Sequence, residues 1–374
     1  MSESKSTKKP FSEHIYDYIG LSLIPGIGEI RFHRLISHFK TASAVFDADI
    51  QELMEAGKIS LNRANVLKAG YNQRDVESKL SKLKDCNISI ITLEDADYPE
   101  NLRQLNDPPP LLYFQGEIKY ADSHCIAIVG SRKASPYGKS MTTRISEELV
   151  DAGFTVVSGF ARGIDTIAHR TALDCDGKTI AVMGCGIDVV YPSENKELFT
   201  RITQSGCIIS EFEPGKPPEA RNFPKRNRLI SGIASGVVIV EAAIKSGALL
   251  TANHALEQGR EVFAVPGPVN SPSSEGTNNL IKSGAKLTTS INDILEELKI
   301  QLKCPPISRA EKDKLGQLDG EQKVIYQNLD TVGVQIDKLV ESTKIDISRL
   351  LGHLLEMELA GYVKTLPGKR YVRI

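Results

Sequence analysis

The chain has 374 residues, 41% of them apolar and 25% charged, and its 46 Lys and Arg against 47 Asp and Glu leave a net charge of −1. That balance suits a soluble globular protein of two or three domains and excludes a wholly basic coat protein, an acidic disordered tail protein and a collagen-like chain. No apolar run approaches the roughly 20 residues of a membrane helix.

The polar start MSESKSTKKP lacks the apolar stretch of a signal peptide. Six cysteines are scattered without a CxxC pair, and several lie inside apolar strand-like runs, where they read as buried free thiols rather than a zinc site. The expectation is a reduced, cytoplasmic protein with no membrane contact and no structural metal. Residues 10–87 carry helical spacing and almost no strand signal. Leu21, Leu23 and Ile24 lead into Pro25-Gly26-Ile27-Gly28, after which Ile30, Leu35, Ile36 and Phe39 recur at helical intervals. Pro25–Gly28 between two helices has the form of a helix-hairpin-helix, part of a small helical, SAM-like domain. Its amides could hold a DNA phosphate, but a purely structural hairpin fits equally well, since Glu29 follows and one copy is visible.

From 88 to 300, short apolar runs alternate with amphipathic helices. Strands are predicted at Cys125–Val129, Thr155–Val157, Thr179–Met183, Cys207–Ser210, Val237–Val240, Val262–Val265 and Lys286–Thr288. Helices are predicted near 136–152, 164–174, 195–204, 248–258 and 276–283. Strands apolar on both faces need helices on both sides, so the fold class is α/β, a Rossmann-like, doubly wound, mostly parallel sheet. Residues 301–316, with Pro305-Pro306, read as a linker. Residues 317–374 read as helices at 321–329, 335–342 and 346–360, then a hairpin turning at Pro367-Gly368, the order of a winged helix.

Ligands of doubly wound sheets sit beyond the carboxyl ends of the strands. Three of those ends carry small residues: Gly130-Ser131-Arg132, then Ser158-Gly159-Phe160-Ala161-Arg162, then Gly184-Cys185-Gly186. Together they suggest an anion cradle, although each glycine alone could serve only a tight turn. Neither GxGxxG nor GxxxxGK[ST] occurs, which disfavours dinucleotide binding and P-loop ATP hydrolysis, and no cofactor is expected. The stretch Arg221-Asn222-Phe223-Pro224-Lys225-Arg226-Asn227-Arg228 holds four cations, no carboxylate and one aromatic. Cations neutralise phosphates and an exposed ring stacks on a base, while the bland alternative is a solvated run with Phe223 in the core. Asp165 reads as a helix cap and His169 as structural rather than as a metal site. Glu241, at a strand end, reads as the partner of a cradle arginine such as Arg228 rather than as a catalytic group.

In this order, the strings AIVGSR, VVSGFARGIDTIAH, TIAVMGCGIDVVYPSEN, SEFEPG, FPKRNRLISG, VEAAIKSGALLTA and GREVFAVPG resemble the DNA-processing protein A (DprA/Smf) family. The resemblance implies a non-enzymatic, single-strand-binding recombination mediator that protects incoming DNA, helps load RecA during natural transformation, and dimerises through its Rossmann-like domain. Carried over, it implies a DNA site of Gly130, Ser131, Arg132, Ser158, Gly159 and the residues Arg221, Phe223, Lys225, Arg226, Asn227 and Arg228, to which the cradle loops add Arg162 and Gly186. Family members can carry a lysine directly after the Tyr-Pro pair; here Ser193 stands there, and Lys196 is the nearest substitute. The winged helix's third helix mixes Lys344, Arg349 and His353 with Asp346, Glu356 and Glu358, so the wing, with Lys364, Lys369, Arg370 and Arg373, is the better DNA candidate. A protein-contact role fits the wing nearly as well.

The final strand should occupy a sheet edge that needs covering. Leu287 on it, with Leu280 or Ile281 from the preceding helix, would then form an apolar homodimer patch. Two other functions compete: a phosphoribohydrolase-like nucleotide-processing enzyme, whose PGGxGTxxE pattern is missing here, and a winged-helix regulator of duplex DNA.

Overall fold

The computed structural model describes residues 11–122, 124–299, 318–329 and 333–373. The proposed linker, the first ten residues and Cys304 lie outside them. The described residues form two compact units, one up to 299 and one from 318.

The first unit opens with six helices: α1 (Glu13–Leu23), α2 (Glu29–Phe39), α3 (Ala42–Asp47), α4 (Ile50–Gly57), α5 (Leu61–Lys68) and α6 (Gln73–Asp85). Thr41, Asp49 and Asn72 each accept an amide of the helix that follows, satisfying a donor that a first turn leaves open. Leu35 and Ile36 carry the packing of α2, whereas Ile30, grouped with them by spacing, is 63% exposed. Tyr18, Ile19 and Leu21 of α1 share one apolar cluster with Tyr113, Met183 and Ile208 of the sheet region. Lys79–Glu213 at 2.9 Å and His14–Asp95 at 3.0 Å reinforce that seam. Apolar burial thus makes the helical layer part of the sheet's own core.

The sheet has nine strands: β1 (Ser89–Thr92), β2 (Leu111–Gly116), β3 (Cys125–Val129), β4 (Thr155–Ser158), β5 (Thr179–Val182), β6 (Cys207–Ser210), β7 (Gly236–Ile239), β8 (Glu261–Ala264) and β9 (Lys286–Leu287). Their order is β1-β2-β6-β5-β4-β3-β7-β8-β9, parallel from β6 to β9, with β2 antiparallel to both β1 and β6. The sequence reading missed β1 and β2, the strands flanking a proline-rich joint. Between strands lie α7 (Glu100–Arg103), α8 (Pro136–Asp151), α9 (Ile164–Asp174), α10 (Lys196–Ser205), α11 (Asn222–Ile233), α12 (Gly247–Glu257), α13 (Glu275–Lys282) and finally α14 (Ile291–Glu297). From β3 the chain proceeds to β4, β5 and β6 on one side and returns to β7 on the other. This reversal opens a crevice above β3.

Helix α11 was not among the predicted helices. Its Pro224 stands in the first turn, where a missing N–H costs no helical hydrogen bond. From Asn222 onward the basic stretch is therefore helical, and successive residues point about 100° apart.

The second unit has helices Gly320–Gln327, Ile336–Thr343 and Ile347–Leu359 with a sheet of β10 (Val334–Gln335), β11 (Val363–Leu366) and β12 (Arg370–Arg373), ordered β10-β12-β11. It is a winged helix. Leu350, Leu354 and Met357 bury one face of the third helix, and Ile347, Leu351, Leu355 and Leu359 are exposed along it. No helix among the described residues is long and apolar enough to cross a membrane.

Candidate nucleic-acid interface

A cleft of 740 Å³ lies in the crevice above β3. Its floor depends on close backbone approach. A Cβ at Gly130 would meet Ile164 at 2.8 Å, and one at Gly163 (φ +75°) would meet the Ser131 carbonyl oxygen at 2.3 Å. Glycine at both positions lets the loop after β3 lie against the start of α9, where the Ile164 amide donates to the Ser131 carbonyl at 3.2 Å.

One wall is aromatic. The Phe223 ring stands 5.8 Å from Tyr191 and carries the Arg132 guanidinium 5.4 Å over its face. Gly184 is the glycine that makes room, since a Cβ there would sit 2.7 Å from Phe223. The opposite wall is Lys245, Ser246, Gly247, Leu250 and Thr251, around the start of α12. The sequence reading did not assign these residues, or Tyr191, to the site. Arg132 and Lys245 are exposed and make no ion pair among the described residues. A smaller recess continues past Arg132 to Gly159, Arg162 and Gly184. Two unpaired cations beside an aromatic wall suit a phosphodiester strand with unstacked bases.

The other expected residues are distributed differently. Arg226 is 3% exposed. Its Nη1 donates to the carbonyls of Gly159, at 2.6 Å, and Val182, so it holds two strand ends together beneath the cleft. Burial pushes its pKa down to about 10. Asp165 is not the cap of α9, which starts after Gly163. Its carboxylate accepts the Gly159 and Ala161 amides at 3.1 and 3.3 Å, and burial raises its pKa against the opposing pull of Arg226. Ser158 is buried, its hydroxyl donating to Ile128. Gly186 lines neither cavity; a Cβ there would meet the Glu213 carbonyl at 2.7 Å. Arg162 pairs with Glu194 and Arg221 with Glu219. Lys196 is exposed and outside both cavities. Asn227 lines the cleft and donates to the Gly247 carbonyl at 3.3 Å, tying α11 to α12.

Lys225 and Arg228 face away from the cleft, towards α2. Lys225 meets Glu29 at 3.3 Å, while Arg228 pairs with Glu211 and donates to the Asp107 carbonyl at 2.7 Å. Glu241 therefore does not hold Arg228; it accepts from the Ser135 amide at 3.0 Å, the Ser135 hydroxyl and the Ser273 hydroxyl. Glu211, nearly buried, has its pKa pushed up to about 7 by desolvation, which outweighs the attraction of Arg228. His169 is fully buried. Because the Thr179 hydroxyl donates to Val156, His169 Nδ1 donates to Thr179 at 2.7 Å, and burial lowers its pKa to about 3.

Strand β9 is at a sheet edge, with Leu287 46% exposed. Leu280 packs on the core and Ile281 is half-buried. In the winged helix, Glu321 draws in Arg349 at 2.8 Å and His353 at 3.0 Å, leaving the apolar residues as the outward face of the third helix.

Residues 89–299 match the family model for DNA recombination-mediator protein A, and 309–369 match the DprA winged helix domain. The chain is 37% identical over 345 residues to protein Smf of Escherichia coli, covering 91% of this chain and 90% of that one. It is 42% identical over 229 residues to the DNA processing protein DprA of Streptococcus pneumoniae, covering 61% and 80%. The crystal structure of the S. pneumoniae DprA superposes with a TM-score of 0.66 at 32% identity, over 76% of this chain and 96% of that one. A DprA structure from Helicobacter pylori, described for its single-stranded DNA binding mode, gives 0.52 at 34% identity, over 57% and 95%.

Proposed function

The chain belongs to the DNA recombination-mediator protein A family, and on that premise we propose that it binds single-stranded DNA in the cleft above β3. It acts there as a mediator without catalytic turnover, protecting incoming DNA and helping to load the RecA recombinase during natural transformation. The observation that carries the binding site is the cleft itself: Arg132 and Lys245 unpaired on two neighbouring strand-end loops, beside the Phe223–Tyr191 wall. The H. pylori relative is described as binding single-stranded DNA, which supports the same ligand here. The absence of turnover is supported by the three acid–base candidates near the cleft. Asp165, His169 and Glu241 are buried and engaged in structural hydrogen bonds.

Gel shifts with single strand, duplex and free nucleotides test the reading together. Single strand should bind best, and NAD, AMP and ATP should remain intact on incubation. Turnover abolished by Glu241→Gln would end the mediator reading.

The same proposal includes a homodimer across the β9 edge through Leu287, with both clefts left free for one long strand. Two clefts on one dimer raise avidity without a new contact. Leu287→Arg should give a folded monomer by light scattering; a variant that stays dimeric places the interface elsewhere.

A further inference from the structure

Pro224 lines two clefts. Beyond it, on the opposite face of α11, a cavity of 920 Å³ runs between α11 and α2. Its acids already have partners on α11: Glu29 meets Lys225, and Glu211 and Asp107 meet Arg228. Arg34 on α2 and Lys58 at the end of α4 also line it. Both are exposed and make no ion pair among the described residues, and with them the four Lys and Arg of the lining outnumber its three carboxylates. Ile30, whose exposure left it without a role in the core, is on the same wall. Unpaired cations beside an apolar surface repeat, in different residues, the composition of the sheet cleft. Between the two cavities stands the first turn of a twelve-residue helix.

We propose that a single strand bound in the sheet cleft crosses the amino end of α11 at Pro224 and continues into the α2–α11 cavity. There Arg34 and Lys58 neutralise phosphates and Ile30 packs against a base. The proposal rests on the single-strand reading of the sheet cleft. It gives the helical layer a role in binding: α2 and α4 form the second bank of a channel whose first bank is α11.

The test uses the full chain with oligothymidylates of about six and about twenty nucleotides, lengths chosen to bracket the occupancy of one site, titrated over a salt series. Arg34→Ala with Lys58→Ala should lower the log–log salt slope for the long oligomer by about 1.4, at about 0.7 per lost contact. The short oligomer should be unaffected. Ile30→Ser should weaken only the long oligomer, with its slope unchanged. A long-oligomer slope equal to wild type in the double variant overturns the proposal. So does an equal fall at both lengths, which would mark a general loss of field rather than a second subsite. Arg132→Ala, run alongside, separates the two readings. Weaker binding at both lengths keeps the sheet cleft whatever the double variant does, and no change at either length removes the sheet cleft and this extension together.

Discussion

The sheet cleft and the third helix of the winged helix are both places where DNA contacts are sought, and they are built in opposite ways. In the cleft, the Arg132 loop lies against Gly163 and the Lys245 loop is tied to α11 through Asn227, and no carboxylate among the described residues takes either cation up. On the third helix, Glu321 engages Arg349 and His353, and the solvent face is Ile347, Leu351, Leu355 and Leu359. Cations are present in both regions. What separates them is whether the fold has already paired the charge, because a paired cation releases fewer counterions from a phosphate chain.

The largest test of that contrast concerns a cation that is basic in sequence and structural in the fold. Arg226→Ala leaves Asp165 buried without its cation and should cost about 3–5 kcal/mol of stability, read by denaturant unfolding. A stable variant with weakened DNA binding would return Arg226 to the interface.

His169 gives a pH test of the same buried layer. Its folded pKa, about 3, lies below the ordinary 6.5, so the folded state resists protonation. The stability is present above about pH 6.5 and is lost progressively as pH falls towards 3. His169→Gln should flatten the acid limb of the stability profile; an unaltered limb would mean that His169 does not control it.

Within the cleft, Phe223→Ala should weaken single-strand binding by about 1–3 kcal/mol without moving the salt slope, since stacking releases no ions. Arg132→Ala and Lys245→Ala should each lower that slope by about 0.7 while leaving stability within about 0.5 kcal/mol. If Phe223→Ala moves the slope, the ring acts by positioning Arg132 rather than by stacking. The smallest effect is expected from Leu351→Lys with Leu355→Lys on the third helix, where single-strand affinity and salt slope should match wild type. A gain in affinity there would show that this face does meet DNA and lacks only charge.

Much of the scaffold was legible in local sequence, because the period of apolar residues is a local property. The seven strands expected from β-branched runs, the helices α8, α9, α10, α12 and α13 and the order of the winged helix could be read that way. So could the small residues at the ends of β3 and β4, since only glycine tolerates the close approaches found at Gly130 and Gly159. The strands β1 and β2 escaped, although β2 is the longest of the nine: they flank a proline-rich joint and pair antiparallel, outside the alternation of strand and crossover helix.

What local sequence could not decide was which strand ends become neighbours and which way each cation points. The loop Lys245-Ser246-Gly247 joins Ser131-Arg132 only because β7 returns beside β3, a pairing settled by the packing of elements more than a hundred residues apart. The eight residues Arg221–Arg228 look like one basic patch when read along the chain. Once Asn222 starts a helix, Arg226 turns inward to the carbonyls of Gly159 and Val182, Phe223 and Asn227 turn to the sheet cleft, and Lys225 and Arg228 turn to α2. Composition alone determined that this segment is basic. Helical rotation, together with the desolvation cost of an unpaired buried charge, decided which of its cations remained available to a ligand.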